Sequence, residues 1–371
     1  MSQSRYRFEL ATAADDGALR QRMAEDWMRG SLSLSFRREP SYFAGCDVQG
    51  ERAQVILCRD LDTDAIVGMG SRCERTTYVN GVAQRTGYLC DLRAHPAVRS
   101  RTLLARGFRF LGQLHDADPI PLYTTVIFEG NTAALGALTG GRAGLPQYRE
   151  YGRVLTPAIY LDLPKRAIRE PGLRFQTARP AQMADVAAFL NSWHSRKQFA
   201  PVFDAAALGT PRLRGLAAGD FLLAFRNERI VACCAAWEQR SFRQTHIERY
   251  TPGLARLRPL YNIAARLSPL KPLPAPGAEV PYFYLSFAAA EDNDVRLFRP
   301  LLRELHRRRR TGPWHYFIAG FHETDPLAAA LADYRRIETA GRLFVVHYHG
   351  EEAGFGGVDP ERIPYIEMAT V

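Results

Sequence analysis

Apolar and polar positions along the chain recur in one order, twice. Residues 7–8 open an apolar run that passes into a helix-like stretch ending near Trp27; residues 174–175 open the same arrangement, ending near Trp193. An apolar hairpin follows in each half, 55–58 with 66–71 and 221–225 with 230–237. Next come a buried-looking strand (87–93; 282–288), an Arg-rich amphipathic helix (101–116; 295–309), another strand (122–128; 315–321), a short Ala/Leu helix and a closing strand. Short continuous apolar runs suit buried strands, and helical periodicity suits helices laid against them. A repeat this long is a duplicated domain, not a solenoid unit.

The predicted fold class is α/β, a mixed α+β sheet in each of two tandem domains. Asp162-Leu163-Pro164 ends the first copy, and Pro171-Gly172 precedes the second. This gives domains at 1–163 and 173–371 with a linker at 164–172. The second copy carries an insertion at about 250–281 that ends in a Pro-rich, aperiodic stretch; such a segment is a lid or a solvent loop. The alternation of 363–371 predicts a last strand that pairs across the two copies.

A length of 371 residues agrees with two cores. No apolar run reaches membrane-spanning length, and residues 1–7 lack a signal-peptide pattern. The six cysteines form no C-x-x-C pair and mostly sit in apolar runs, which predicts free thiols and a cytoplasmic protein. The formal charge of +10 comes almost wholly from Arg, since Lys165, Lys197 and Lys271 are the only lysines. That bias is the mark of a GC-rich, bacterial genome and weakens any inference from charge to nucleic acid. The cluster at 306–310 ends a predicted helix, where cations complement the dipole.

The order of elements, with Ile66-Val67-Gly68 on the third-strand position, Asp91-Leu92-Arg93-Ala94 leaving the fourth, and Asn131 with Ala133-Ala134 after the fifth, resembles the GNAT superfamily of N-acyltransferases. The resemblance covers both halves, so the chain is similar to the tandem-GNAT architecture. It implies an acyl-CoA co-substrate, acetyl-CoA or longer, no metal, and a small-molecule amine as acceptor. It also implies that the pantetheine runs along Leu92, Arg93 and Ala94, that the pyrophosphate lies over Arg99, Ser100, Arg101, Thr102, Leu103 and Leu104, and that Asn131 belongs to the same site.

Pyrophosphate needs a row of backbone N–H groups at a helix start, where the dipole also favours negative charge. Arg99 matches the first position of the family's loop, but Thr102 and Leu104 replace glycines that let the backbone approach phosphate. The loop reads either as a modified phosphate site or as a plain strand–helix connection. In the second copy Glu291, Asp292 and Asp294 occupy the same place, so that copy is expected to hold no acyl-CoA of its own.

Acyl transfer to an amine needs a proton acceptor, a donor to the thioester oxygen and an acid for the thiolate. The fourth-strand backbone near Leu92 or Arg93 supplies the donor. Asp91 is the candidate base; its alternative is a strand-end carboxylate paired with Arg93 or Arg99. Leu138 stands where the resemblance implies a Tyr acid. Tyr148 and Tyr151 are the substitutes, or else packed aromatics. Arg37, Arg38 and Tyr42 place cations beside an aromatic in 31–43, which suits an acceptor carrying a carboxylate; the alternative is a surface loop. Hydrolase elbow, zinc helix and Walker loop are absent from the sequence. Two functions stay open: an acyl-CoA-dependent N-acyltransferase acting on a primary amine, or a non-catalytic GNAT-like protein that binds a small molecule or a protein partner.

Overall fold

Both halves fold as the apolar runs predict, and each then borrows a strand from the other. A computed structural model describes residues 5–28, 30, 32–98, 101–140, 145–348 and 356–371. The first half runs β1 (Tyr6–Leu10), α1 (Asp16–Glu25), β2 (Leu32–Arg37), α2 (Tyr42–Asp47), β3 (Arg52–Asp60), β4 (Ile66–Val79) and β5 (Val82–Ala94). It continues α3 (Arg101–Ala117), β6 (Tyr123–Phe128), α4 (Thr132–Leu138), β7 (Gln147–Leu155) and β8 (Ala158–Tyr160). The second half runs β9 (Arg174–Thr177), α5 (Met183–His194), β10 (Phe221–Arg226), β11 (Arg229–Trp237), β12 (Gln244–Tyr250), α6 (Pro252–Arg266) and β13 (Tyr282–Ala290). It ends α7 (Val295–Arg309), β14 (Tyr316–Ile318), β15 (Phe321–His322), β16 (Arg336–Ile337) and β17 (Ala340–His347). No helix among the described residues is long and apolar enough to cross a membrane.

The first sheet has the order β1-β3-β4-β5-β6-β17-β7-β15, and the second β16-β8-β14-β13-β11-β10-β9. Read from the β1 and β9 edges, the first seven strands of the two orders match, and β15 of the second half adds an eighth at the far edge of the first sheet. The strand between β6 and β7 is β17, from the second half, and the strand between β14 and β16 is β8, from the first. The closing strands are therefore exchanged. β17 is apolar and buried along most of its length, with Leu343, Val345 and Val346 almost fully enclosed. It bonds β6 on one side and β7 on the other over its whole span.

Each sheet is covered on both faces. Phe108, Leu111 and Ile120 of the α3 side pack on Tyr123 and Ile127 of the first sheet. Leu19, Met23, Tyr42 and Cys46 cover its other face. In the second half Leu297, Phe298, Leu301 and Leu305 of α7 pack on one face, and Met183, Val186 and Leu190 of α5 on the other. An amphipathic stripe laid on a sheet is the arrangement that helical periodicity requires.

The insertion is neither a lid nor a plain loop at its start. The first copy joins β4 to β5 with Asn80-Gly81, both at positive φ (54° and 88°), a tight hairpin turn. The second copy replaces this turn with β12, α6 and the Pro-rich stretch. β12 then crosses to pair with β2 of the first half, from Gln244↔Arg37 to Tyr250↔Leu32. The tail at 363–371 is not a strand. Pro364, which has no N–H, forms a single bridge to Gln198, and Glu367 caps a short helical turn by accepting from the Ala369 N–H.

Exchange of closing strands predicts that the halves cannot separate without breaking both sheets. A chain cut within the linker at 164–172 should elute at the mass of the intact chain in native size-exclusion chromatography and come apart only in denaturant. Two separate folded halves under native conditions would contradict the exchange.

Candidate functional site

The site begins with one surplus residue in β5. Ser71 of β4 faces Cys90, and the next paired residues are Met69 and Arg93, so Asp91 and Leu92 together stand opposite Gly70. This is a β-bulge, and it takes Asp91 into the left-handed region at φ 54°. Asp is among the few side chains that tolerate this conformation. Just before the bulge β5 leaves its parallel neighbour. Only Gly87↔Tyr123 and Tyr88↔Thr124 pair it with β6. Gly87 is required at that contact, since a Cβ there would lie 2.1 Å from the Tyr123 ring. One step further the Thr125 hydroxyl donates to the Leu89 carbonyl at 2.7 Å, and the strands then splay. Among the described residues no ladder pairing to β6 is present past Tyr88, and Leu92 is half exposed at the mouth of the resulting wedge.

Under the bulge lies a buried ion pair. The Asp91 carboxylate accepts from Arg38 Nη2 at 2.6 Å and from the Tyr42 hydroxyl at 3.0 Å. Arg38 is 1% exposed, lies 4.7 Å over the Tyr42 ring, and donates from Nη1 to Cys46 Sγ at 3.3 Å. Burial pushes the Asp91 carboxyl up, yet Arg38, Arg93, Arg243 and the Tyr42 hydroxyl outweigh it and hold it below the usual carboxylate range. Burial pulls Arg38 down, and Asp91 together with Tyr42, Cys46 and Cys90 more than offsets it, so the guanidinium stays charged. One carboxylate thus faces three guanidinium groups. Arg38 Nε and Arg93 Nε are buried and find no hydrogen-bond partner among the described residues. Cys73 Sγ and Cys90 Sγ lie 3.9 Å apart beside the pair. The pairing differs from the expected partners Arg93 and Arg99: Arg93 Nη1 instead lies 3.9 Å from Asp26.

The second half reaches into this site. Arg37 is held by Glu248 of β12 at 2.8 Å, and Glu248 also accepts from Ser35. Arg243, at the start of the insertion, donates to the Ala369 and Val371 carbonyls, while Arg75 donates to that of Thr370. Arg37 and Arg38, expected as receptors for an acceptor carboxylate, are each already matched to a carboxylate of the protein, and Tyr42 is fully buried.

The remaining candidates do not gather around Asp91. Tyr148 packs on the α3 face between Phe108 and Phe344. Tyr151 packs on the opposite face against Phe199 and donates to the Asp359 carbonyl at 3.1 Å. Burial raises both phenols, which suits packed aromatics. Asn131 is the N-cap of α4, its side chain accepting from the Ala134 N–H at 3.1 Å. Leu103 packs against Cys58 and Val67, Leu104 joins the α3-side core, and Thr102 is exposed. Ala94 pairs with Gly68 at the strand end. Arg99, Ser100 and the side chain of Arg101 lie outside the described residues.

The same bulge recurs in the second half and is filled. Ser286 faces Ala235 and Ala289 faces Cys233, which leaves Phe287 as the bulged residue, at φ 50°. Its ring sits among Phe203, Phe221 and Trp237. Its N–H donates to the buried carboxyl of Glu367 at 2.8 Å, and the Tyr365 hydroxyl donates to the same oxygen at 2.9 Å. Met368 lies so close to Gly320 that a Cβ there would be 1.9 Å from its Cγ. At the start of α7, Asp294 accepts from the Arg296 N–H as an N-cap. The chain's own tail therefore occupies the second wedge. Glu367 was not among the residues singled out from the sequence; the signal was a lone carboxylate inside the apolar run 363–371.

No family model and no curated protein matches the sequence. Solved structures do match. Saccharomyces cerevisiae N-myristoyltransferase with bound myristoyl-CoA superposes with a TM-score of 0.61 at 10% identity, covering 94% of this chain and 80% of that one. A second structure of that enzyme with myristoyl-CoA gives 0.59 at 11% identity, covering 93% and 83%. A GCN5-related N-acetyltransferase from Sphaerobacter thermophilus gives 0.53 at 14% identity over 100% of both chains. The chain has the GNAT-superfamily fold, in tandem.

Arg38→Ala would leave Asp91 buried and unpaired, and should destabilise the protein by about 3–5 kcal/mol at pH 7, while Arg38→Leu with Asp91→Leu loses less. The sign with pH follows from a folded value below the ordinary ~3.9 of an aspartate: the stabilisation is complete above that value and is lost as pH falls through the folded value. Thermal unfolding of both variants at neutral and acid pH checks this. An Arg38→Ala protein as stable as the parent at pH 7 would contradict it.

Proposed function

We propose that the chain is an acyl-CoA-dependent N-acyltransferase that uses the first-half wedge to move an acyl group from a coenzyme A thioester to a primary amine of a small molecule. The observation that carries this reading is the contrast between the two bulges. In the first, β5 runs on past its last pair with β6 and leaves Leu92 half exposed near a helix start, and the second is closed by Phe287, Glu367 and Met368. Support also comes from the matched structures, two of which hold myristoyl-CoA.

In this reading the pantetheine adds to β5 along Leu92, Arg93 and Ala94, in the manner of an extra strand. The backbone N–H at the bulge donates to the thioester oxygen as it gains charge. The pyrophosphate rests on the N–H groups of 101–104 at the start of α3, where the dipole favours it. Leu103 and Leu104 anchor that turn to the sheet.

Asp91 then acts through its charge. A carboxyl held below its usual range is a poor proton acceptor near neutral pH. It instead fixes Arg38 and Tyr42 beneath the wedge. The surplus of guanidinium charge favours the neutral form of an amine bound there and also the departing thiolate. The ammonium sheds one proton to solvent and attacks the thioester carbon as the neutral amine; the tetrahedral adduct loses its second N–H proton to solvent, the C–S bond breaks as the amide forms, and coenzyme A leaves as a thiolate that solvent protonates. A second reading, a non-catalytic protein that binds a small molecule or a protein partner through the same wedge, is favoured by the Cβ-bearing Thr102 and Leu104 at loop positions that suit glycine.

Calorimetric titration with acetyl-CoA and longer acyl-CoAs should give one site per chain, and Arg101→Ala should weaken it by about 1–2 kcal/mol, the scale of a charge-assisted hydrogen bond. Thiol release on addition of primary amines separates the two readings. Two sites per chain, or none, would overturn the first reading.

A further inference from the structure

Helix α6 carries apolar side chains on both of its sides, and only one side has a partner. The inner side is firmly seated. Leu254 joins Ile247, Tyr250, Leu273 and Val280 in a small core, and Ala265 is buried. Asn262 both donates to the Leu273 carbonyl at 3.0 Å and accepts from its N–H at 2.8 Å. The outer side bears Leu257, Leu260, Ile263 and, one residue past the helix end, Leu267, which are 60%, 67%, 57% and 87% exposed. Their spacing of three or four residues puts them on one stripe, turned away from the buried side. These four are a third of the twelve large hydrophobic side chains most exposed among the described residues, so the stripe is a concentrated surface and not scatter.

Charge selects what fits it. From Arg249 to Ala278 the sequence holds no Asp or Glu, while Arg249, Arg256 and Arg266 are exposed around the stripe. A second copy of the same face would set these cations against one another. A flat anionic surface with an apolar interior matches both features at once. We propose that α6 is a membrane-surface helix: its leucine stripe enters the headgroup–acyl boundary of an anionic bilayer while the arginines meet the lipid phosphates. The inference stands on α6 alone and does not depend on acyl transfer.

Flotation of the full chain with vesicles tests it. Phosphatidylcholine vesicles containing phosphatidylglycerol should bind at least about tenfold more protein than phosphatidylcholine alone, and high salt should erase the difference. Leu257→Ser with Leu260→Ser and Leu267→Ser should reduce binding at least about tenfold. These side chains are exposed, so the melting temperature of that variant should stay near the parent's. Arg256→Glu with Arg266→Glu should lose the preference for anionic vesicles. No binding of the parent chain to anionic vesicles overturns the proposal, as does undiminished binding of the triple variant. A parent that ignores vesicles but forms a dimer, which the triple variant abolishes, would make the stripe a contact between copies instead.

Discussion

A left-handed residue in the fourth strand of each half is the constraint from which the site follows. Asp91 and Phe287 hold the same place in the duplicated order, with φ of 54° and 50°. Each is the extra residue of a bulge, and in each half pairing with the next parallel strand has stopped three residues before it. A bulge frees backbone from the ladder and turns a side chain off the regular alternation. Freed backbone must find partners elsewhere. In the second half the partner is Glu367 of the same chain. In the first half the bulged side chain turns down into an ion pair with Arg38, and the wedge above stays open.

The two halves are built into each other around that wedge. β17 and β8 are exchanged between the sheets, so neither sheet is complete without the other half. The insertion of the second half closes over β2, where Glu248 holds Arg37, and its Arg243 adds to the field that keeps Asp91 ionised. The tail that fills the second wedge is gripped by Arg75 of the first half. One wedge filled and one open is thus a property of the joined pair. The duplicated copy serves as the wall and counter-charge of the first copy's site.

Much of this was legible from the run of apolar residues, and the rest was hidden for identifiable reasons. Order, helix faces and the long hairpin follow from periodicity, because burial on a sheet or under a helix leaves that imprint. Exchange leaves none: β8 and β17 each read as the closing strand of their own half, and pairing between halves changes no local pattern. The Arg38–Asp91 pair joins residues 53 positions apart, and nothing nearby marks Arg38 as buried. Asp91 itself was legible as the acidic residue of the fourth strand; that its charge would be neutralised from below was not. Tyr148 and Tyr151 look adjacent in sequence but fall on opposite faces of β7, so proximity along the chain misled. The tail reads as a strand by alternation, and Pro364 and Glu367 make it a capped turn instead.

The claim that the two bulges have different fates is tested most directly by hydrogen exchange with and without a long-chain acyl-CoA. Backbone amides at 89–94 and at the start of α3 should slow on addition of the ligand, because new hydrogen bonds form there, while those at 285–290 should already be slow and stay unchanged. Slowing confined to 285–290, or no change at 89–94 under saturating ligand, would contradict the account.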